Sequence, residues 1–137
     1  PPRRSSDLIE PLRQALRDPS PTVRLQAVQG LEGRKSRGLA MTLAVLLEEE
    51  NHPDITREML LALGRIGTNE AVQALVRAAT PGRRLFSRKP VATRLAAVEG
   101  LRAAGTGPAA ASLQSLLKDD DSEVRHAAQK ALAQLNS

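Results

Sequence analysis

Apolar residues recur along this chain at helical spacing, in short stripes broken by proline, glycine or acidic turns. From Leu113 to Leu135 the pattern is complete. Leu113, Leu116 and Leu117 share one face, Asp119 to Ser122 interrupt it, and a second stripe carries Val124, Ala128, Ala131, Leu132 and Leu135. The offsets of that second stripe, 0, +4, +7, +8 and +11, predict an amphipathic helix. Three earlier segments vary the same two-helix theme. The first predicted helix runs from about Asp7 to Asp18, with Leu8, Ile9, Leu12, Ala15 and Leu16 inward. Pro19-Ser20-Pro21 ends it, because a proline lacks an N–H and disfavours helix in the residue before it. Thr22 is the expected cap of the next stripe, Val23, Ala27, Gly30 and Leu31.

Helix three is predicted over Arg37 to Glu49, burying Leu39, Leu43, Leu46 and Leu47. After Asn51-His52-Pro53, with Asp54 as expected cap, Ile55, Met59, Ala62, Leu63 and Ile66 repeat the five offsets of the last stripe. Gly67 then acts as a stop. Helix five, about Glu70 to Thr80, buries Ala71 or Val72, Leu75, Val76 and Ala79, and helix six carries Thr93, Ala97, Gly100, Leu101 and Ala104. Equivalent leucines measure the unit: 32 residues from Leu31 to Leu63, 38 to Leu101 and 31 to Leu132. A unit of about 31 with one insertion of about 7, at 83–89, accounts for all three intervals. One hairpin of this kind cannot bury its own stripe, so the units must stack. The expectation is a tail over 1–6 and one domain over 7–137, with repeats at about 7–35, 37–67, 69–105 and 108–135 and an insert loop at 82–90.

Composition narrows the picture. The chain has 137 residues, 41% of them hydrophobic, with one Phe and no Trp or Tyr. Sheets draw on aromatic and β-branched residues, so this Leu- and Ala-rich set favours an all-α fold. No cysteine is present, which removes disulfides and thiolate metal sites and suits a cytoplasmic setting. The net charge of +5 favours anionic partners only weakly. No run of about 18 apolar residues exists to span a membrane. The chain opens on Pro1-Pro2 without Met, so it is expected to be a segment of a longer protein.

The motif D-P-S-P-T-V-R-L-Q-A-V-Q-G-L at 18–31 and D-D-D-S-E-V-R-H-A-A-Q-K-A-L at 119–132 resembles the short bacterial-type HEAT repeats. Their pattern is an acidic turn followed by V-R-x-x-A-x-x-A-L. Weaker versions stand at 55–63, with Thr56 in place of Arg, and at 93–101, where the basic insert replaces the acidic turn. The resemblance implies a right-handed α-α superhelix of four HEAT-like helix pairs, about eight helices, with the second helices lining a concave face. It also implies a structural ladder in which Arg24, Arg94 and Arg125 bond turn carboxylates or carbonyls of neighbouring repeats, with Asp18 and Asp119 as turn partners. Thr56 would break that ladder, so repeat two is expected to dock less firmly.

Three regions are candidate sites. In the insert, Arg83, Arg84, Arg88 and Lys89 surround Leu85 and Phe86, the sole aromatic residue. Such a loop suits phosphates or a partner's carboxylates, with Phe86 as anchor. Equally, Leu85-Phe86 could tuck under the solenoid while the acidic turns Glu48, Glu49, Glu50, Asp54 and Asp119 to Asp121 neutralise the cations. A second basic group, Arg34, Lys35 and Arg37, belongs to the opposite edge. Two separated clusters do not form the single track that duplex binding needs. The expected concave face reads Gln26, Gln29, Glu58, Leu61, Arg65, Ala96, Glu99, Ala127 and Lys130, a mixed surface suited to shallow protein contact.

Chemistry finds little purchase. Deoxyhypusine hydroxylases of the same superfamily bind iron through His-Glu pairs, whereas here His52 precedes Pro53 and His126 precedes Ala127. No metal or cofactor is expected. The reading is a non-catalytic interaction or scaffold module of a larger bacterial protein, binding another protein or another domain of its parent. Anion or nucleic-acid binding through the basic loops is the alternative, and a HEAT-like lyase or accessory enzyme subunit is third.

Overall fold

The computed structural model describes residues 5–31, 36–82 and 89–137, with side chains from Glu10 onward. Among these residues all regular structure is helical: α1 (Ser5–Leu16), α2 (Pro21–Gln29), α3 (Arg37–Glu49), α4 (Pro53–Ile66), α5 (Asn69–Ala79), α6 (Val91–Ala104), α7 (Gly107–Leu116) and α8 (Ser122–Leu135). Successive helices pair as hairpins, giving four units. The expected inward positions Leu8 and Ile9 lie outside the described side chains. Helix α1 begins inside the stretch expected to be tail, at Ser5.

Two predicted caps move, for one reason. Proline is pre-organised for the first helical position, where its missing N–H costs nothing. Pro21 therefore opens α2 and the cap falls on Ser20, whose hydroxyl accepts from the Val23 N–H, leaving Thr22 in the first turn. In the same way Pro53 opens α4 and His52 takes the cap position without a side-chain bond, while Asp54 sits in the first turn, favourably placed against the helix dipole. Thr68 and Thr106 cap α5 and α7, and Asp121 caps α8 by accepting from the N–H groups of Glu123 and Val124. Gly67 and Gly105 end α4 and α6 at φ of 66° and 62°, the left-handed turn that favours glycine.

The first helices α1, α3, α5 and α7 form one layer, and the second helices α2, α4, α6 and α8 the other. One core runs between them, with Leu16, Leu31, Leu43, Leu63, Leu75, Leu101 and Leu113 all fully buried. The second helices pack against one another more extensively than the first helices do, so their layer is the inner, concave side of the stack. Small residues permit this closeness. A Cβ placed on Gly64 would lie 2.5 Å from the Gly100 carbonyl oxygen and 2.8 Å from its Cα, so α4 and α6 meet backbone to backbone.

That contact overturns the expectation that repeat two docks weakly. Thr56 does remove the ladder arginine at this step, and it lines an open groove of about 490 Å³ with Leu47, Pro53, Pro90 and Thr93. Yet α4 and α6 form the most extensive helix interface in the described structure. At this step the close approach is in the inner layer, between Gly64 and Gly100, and the groove lined by Thr56 lies at the turn edge.

Candidate functional site

The turn edge of the stack carries its buried charge. In repeat one the Arg24 guanidinium spans two turns. Nη1 donates to the carbonyl oxygens of Asp18 and Pro19 at 2.8 and 3.0 Å. Nε and Nη2 donate to Glu50 of the next repeat at 2.9 and 3.1 Å. The Glu50 side chain is only 4% exposed, and it also accepts from the backbone N–H groups of Asn51 and His52. In repeat three the pattern returns. Arg94 Nε donates to the Ala79 carbonyl at 2.8 Å, and its two terminal nitrogens grip the Asp119 carboxylate of repeat four. Both side chains of that pair are 6% exposed. Arg125, in the last repeat, donates to the carbonyl oxygens of Asp119 and Asp120 at 2.7 and 3.0 Å.

Asp18 meets Arg24 through its backbone. Its carboxylate accepts from the Ser20 N–H within its own turn, and only its backbone oxygen meets Arg24. The carboxylate that joins repeat one to repeat two belongs to Glu50, which the motif comparison missed. A signal was available in the spacing: Arg24 to Glu50 is 26 residues and Arg94 to Asp119 is 25. The repeat places the carboxylate at the end of the next first helix or just after it.

These pairs set an acid limit. Burial pushes the Glu50 carboxyl up, but the Arg24 and His52 hydrogen bonds and the Arg24 charge outweigh it and hold the group below its ordinary 4.5. Asp119 is likewise raised by burial and lowered further by Arg94, the Asp121 N–H and Arg125, ending below its ordinary 3.8. A carboxyl depressed in the fold adds stability above its unfolded pKa and loses that contribution as pH falls through the folded value. Stability is therefore expected to hold from neutrality to about pH 5 and to drop steeply below about pH 4. Urea titrations at stepped pH check this, and Glu50→Gln should flatten the acid limb while lowering the neutral plateau.

The second-helix face is open. Gln26, Gln29, Arg65, Glu99 and Lys130 are exposed and Glu58 is half-exposed, so on this layer α4 presents charges of both signs, α6 an acid and α8 a base. Ala96, read as part of this surface, is instead buried in the inner-layer packing, and Leu61 is half-buried. Glu99 bonds Arg102 one turn on, at 2.9 Å from Nε. Between α6 and α8 lies a groove of about 590 Å³, walled by Leu95, Val98, Glu99 and Arg102 on one side and Ala127 and Lys130 on the other.

Of the insert, Arg83, Arg84, Phe86 and Arg88 lie outside the described residues, as do Arg34 and Lys35 of the second basic group. Lys89 is described, and its ammonium turns back to donate to the carbonyl oxygens of Arg77 and Thr80 at the end of α5. Burial first, then the charges of Arg94 and Arg77, lower its pKa despite nearby Glu48. Lys89 thus serves as a cation at a helix C-terminus. Gly82 and Lys89, the two roots of the insert, share a groove with Asp119, Asp120 and Asp121. Arg37 also has a local partner, Glu70, at 2.9 Å.

His52 sits in turn two with Nδ1 3.3 Å from Glu50, and His126 is exposed on α8. Among the described residues no three or more His, Cys, Asp or Glu side chains are grouped to hold a metal ion. No helix among the described residues is long and apolar enough to cross a membrane.

Stacked helix pairs with a closely packed inner layer, joined across turns by arginine, define an α-solenoid of tandem repeats. The chain belongs to the HEAT repeat family: the family model of HEAT repeats matches residues 9–88, and that of the single HEAT repeat matches 111–137. Nineteen chains of solved structures are significantly similar. Among them, human deoxyhypusine hydroxylase in complex with glycerol superposes with a TM-score of 0.75 at 26% identity, over 93% of this chain and 43% of that one. The chain therefore spans less than half the length of that protein. No curated protein sequence matches the chain at a significant level.

Proposed function

We propose that the chain is a non-catalytic interaction module within a larger bacterial, cytoplasmic protein, and that its second-helix face holds a protein partner or another domain of the parent. The exposed, mixed-charge residues from Gln26 to Lys130 support this reading, together with the part-apolar groove between α6 and α8. Mixed charges over a partly apolar floor suit a folded protein surface and offer no continuous track to a polyanion. Lys89 is drawn into helix capping, which subtracts one cation from the insert as an anion site.

The test compares two surfaces. The chain, a Glu99→Lys/Lys130→Glu variant and a Phe86→Ala variant with Arg83 and Arg84 reversed to Glu are immobilised and challenged with extract of the source cell. Loss of a retained protein from the first variant, by roughly tenfold or more at unchanged helicity, is the expected result. Equal retention by all three sinks the reading. Capture of DNA or RNA that falls steeply between low and moderate salt would favour the basic loops instead.

A further inference from the structure

Tandem repeats allow each residue to be compared with its counterparts in other units, and the two ends of this stack differ under that comparison. Three positions before the reference leucines Leu31, Leu63, Leu101 and Leu132 stand Val28, Leu60, Val98 and Gln129. This position faces the following repeat. Leu60 meets Gly100 of α6 through its backbone, and Val98 lines the groove shared with α8. Val28, Leu60 and Val98 are at most 2% exposed, whereas Gln129 is exposed. Its neighbours on the same face of α8, His126 and Ala133, are exposed too. The α8 end thus bears the polar surface that a terminal repeat requires.

The α2 end keeps the interior pattern. One position before the same leucines stand Gly30, Ala62, Gly100 and Ala131, small in every repeat because the preceding second helix packs on them. Ala62, Gly100 and Ala131 are buried; Gly30 is exposed. A Cβ on Gly30 would reach Leu12 of its own hairpin, as one on Gly100 reaches Leu75, and among the described residues nothing takes the place of the α4 backbone. The core is left part-open at this end. Leu12 is half-buried where Leu43, Leu75 and Leu113 are 0% exposed; Val23 is half-buried as well, a state it shares with Thr93 of repeat three.

We propose that the face formed by Leu12, Val23, Gln26 and Gly30 receives a further helix pair of the same repeat type, lying ahead of α1 in the parent polypeptide. The occupant's second helix would present the pattern of α4, a leucine or valine followed four residues later by glycine or alanine, as in Leu60 and Gly64. Internal continuity of the stack carries this choice, since the α4–α6 interface shows what covers a glycine in this register. Along α8 the Gln129 end is polar, and Leu117 after α7 is the one large apolar side chain exposed in that repeat among the described residues, so a second copy joined head to tail would meet a mostly polar face.

The experiment extends the full chain with a copy of residues 37–67, placed ahead of residue 1 in one protein and after residue 137 in another. The expected result is that the N-terminal extension raises the unfolding temperature and slows amide exchange in α2 by roughly tenfold, while the C-terminal extension changes neither α8 exchange nor the midpoint. Gly30→Gln should abolish the gain in the extended protein and leave the fold of the unextended chain intact, as judged by its circular dichroism. No gain from the N-terminal copy, an equal gain at both ends, or a gain that survives Gly30→Gln overturns the proposal. So does concentration-dependent dimerisation of the unextended chain that Gly30→Gln abolishes, since a second copy would then be the occupant.

Discussion

Arg94→Ala is expected to lower the unfolding free energy by about 3–5 kcal/mol, the cost of breaking a buried ion pair by removing one partner. The change leaves the Asp119 carboxylate, 6% exposed, without its guanidinium, and the Ala79 carbonyl loses its donor in the same step. A typical domain is stable by only about 5–15 kcal/mol, so the loss takes a large part of the total. Urea unfolding measures it: the midpoint should fall with little change in slope if the fold stays cooperative. Arg102→Ala is the control. Its Glu99 partner is about half exposed, and exposed pairs contribute about 0–1 kcal/mol. Equal losses for the two variants would show that the turn-edge pair holds nothing together.

The contrast between Arg94 and Arg102 also marks what could be read from the sequence. Helical period, turn residues and the repeat length were all local or periodic, and they located eight helices and their pairing. Arg24, Arg94 and Arg125 followed from a motif. What could not be read locally was set by neighbours distant along the chain. Glu50 has no motif of its own, and only its burial under Arg24 makes it part of the ladder. Ala96 faces the concave side by period, yet it is only 8% exposed. Prolines shifted the caps at Ser20 and His52 through a backbone preference that outranks side-chain propensity. Lys89 was grouped with its sequence neighbours, while the free carbonyls at the end of α5 claimed it. For the candidate interaction face, exposure and sign were legible and the partner was not, because a mixed surface is matched by shape that one side alone does not specify.

Gly64 carries the second large effect, and here two principles give opposite signs. In an exposed helix Gly→Ala stabilises by about 0.8–1 kcal/mol through helix propensity. In α4 the new methyl would stand 2.5, 2.8 and 3.0 Å from the oxygen, Cα and carbonyl carbon of Gly100. Those are backbone atoms of α6, with no rotamer to yield, so the two helices must part. Overpacking costs about 1–3 kcal/mol, and separation also loosens the inner-layer packing around Leu60 and Ala97, both 0% exposed. The clash wins: Gly64→Ala is expected to destabilise by up to about 2 kcal/mol after the propensity gain is subtracted, and Gly64→Leu by more. Gly107, in the first turn of α7, has no atom within 4 Å of an added Cβ. Gly107→Ala should therefore be neutral or stabilising by up to about 1 kcal/mol. Thermal unfolding of the three variants separates the accounts. If Gly64→Ala melts at or above the parent temperature, α4 and α6 are not in backbone contact, and the explanation for the firm docking of repeat two without a ladder arginine fails with it.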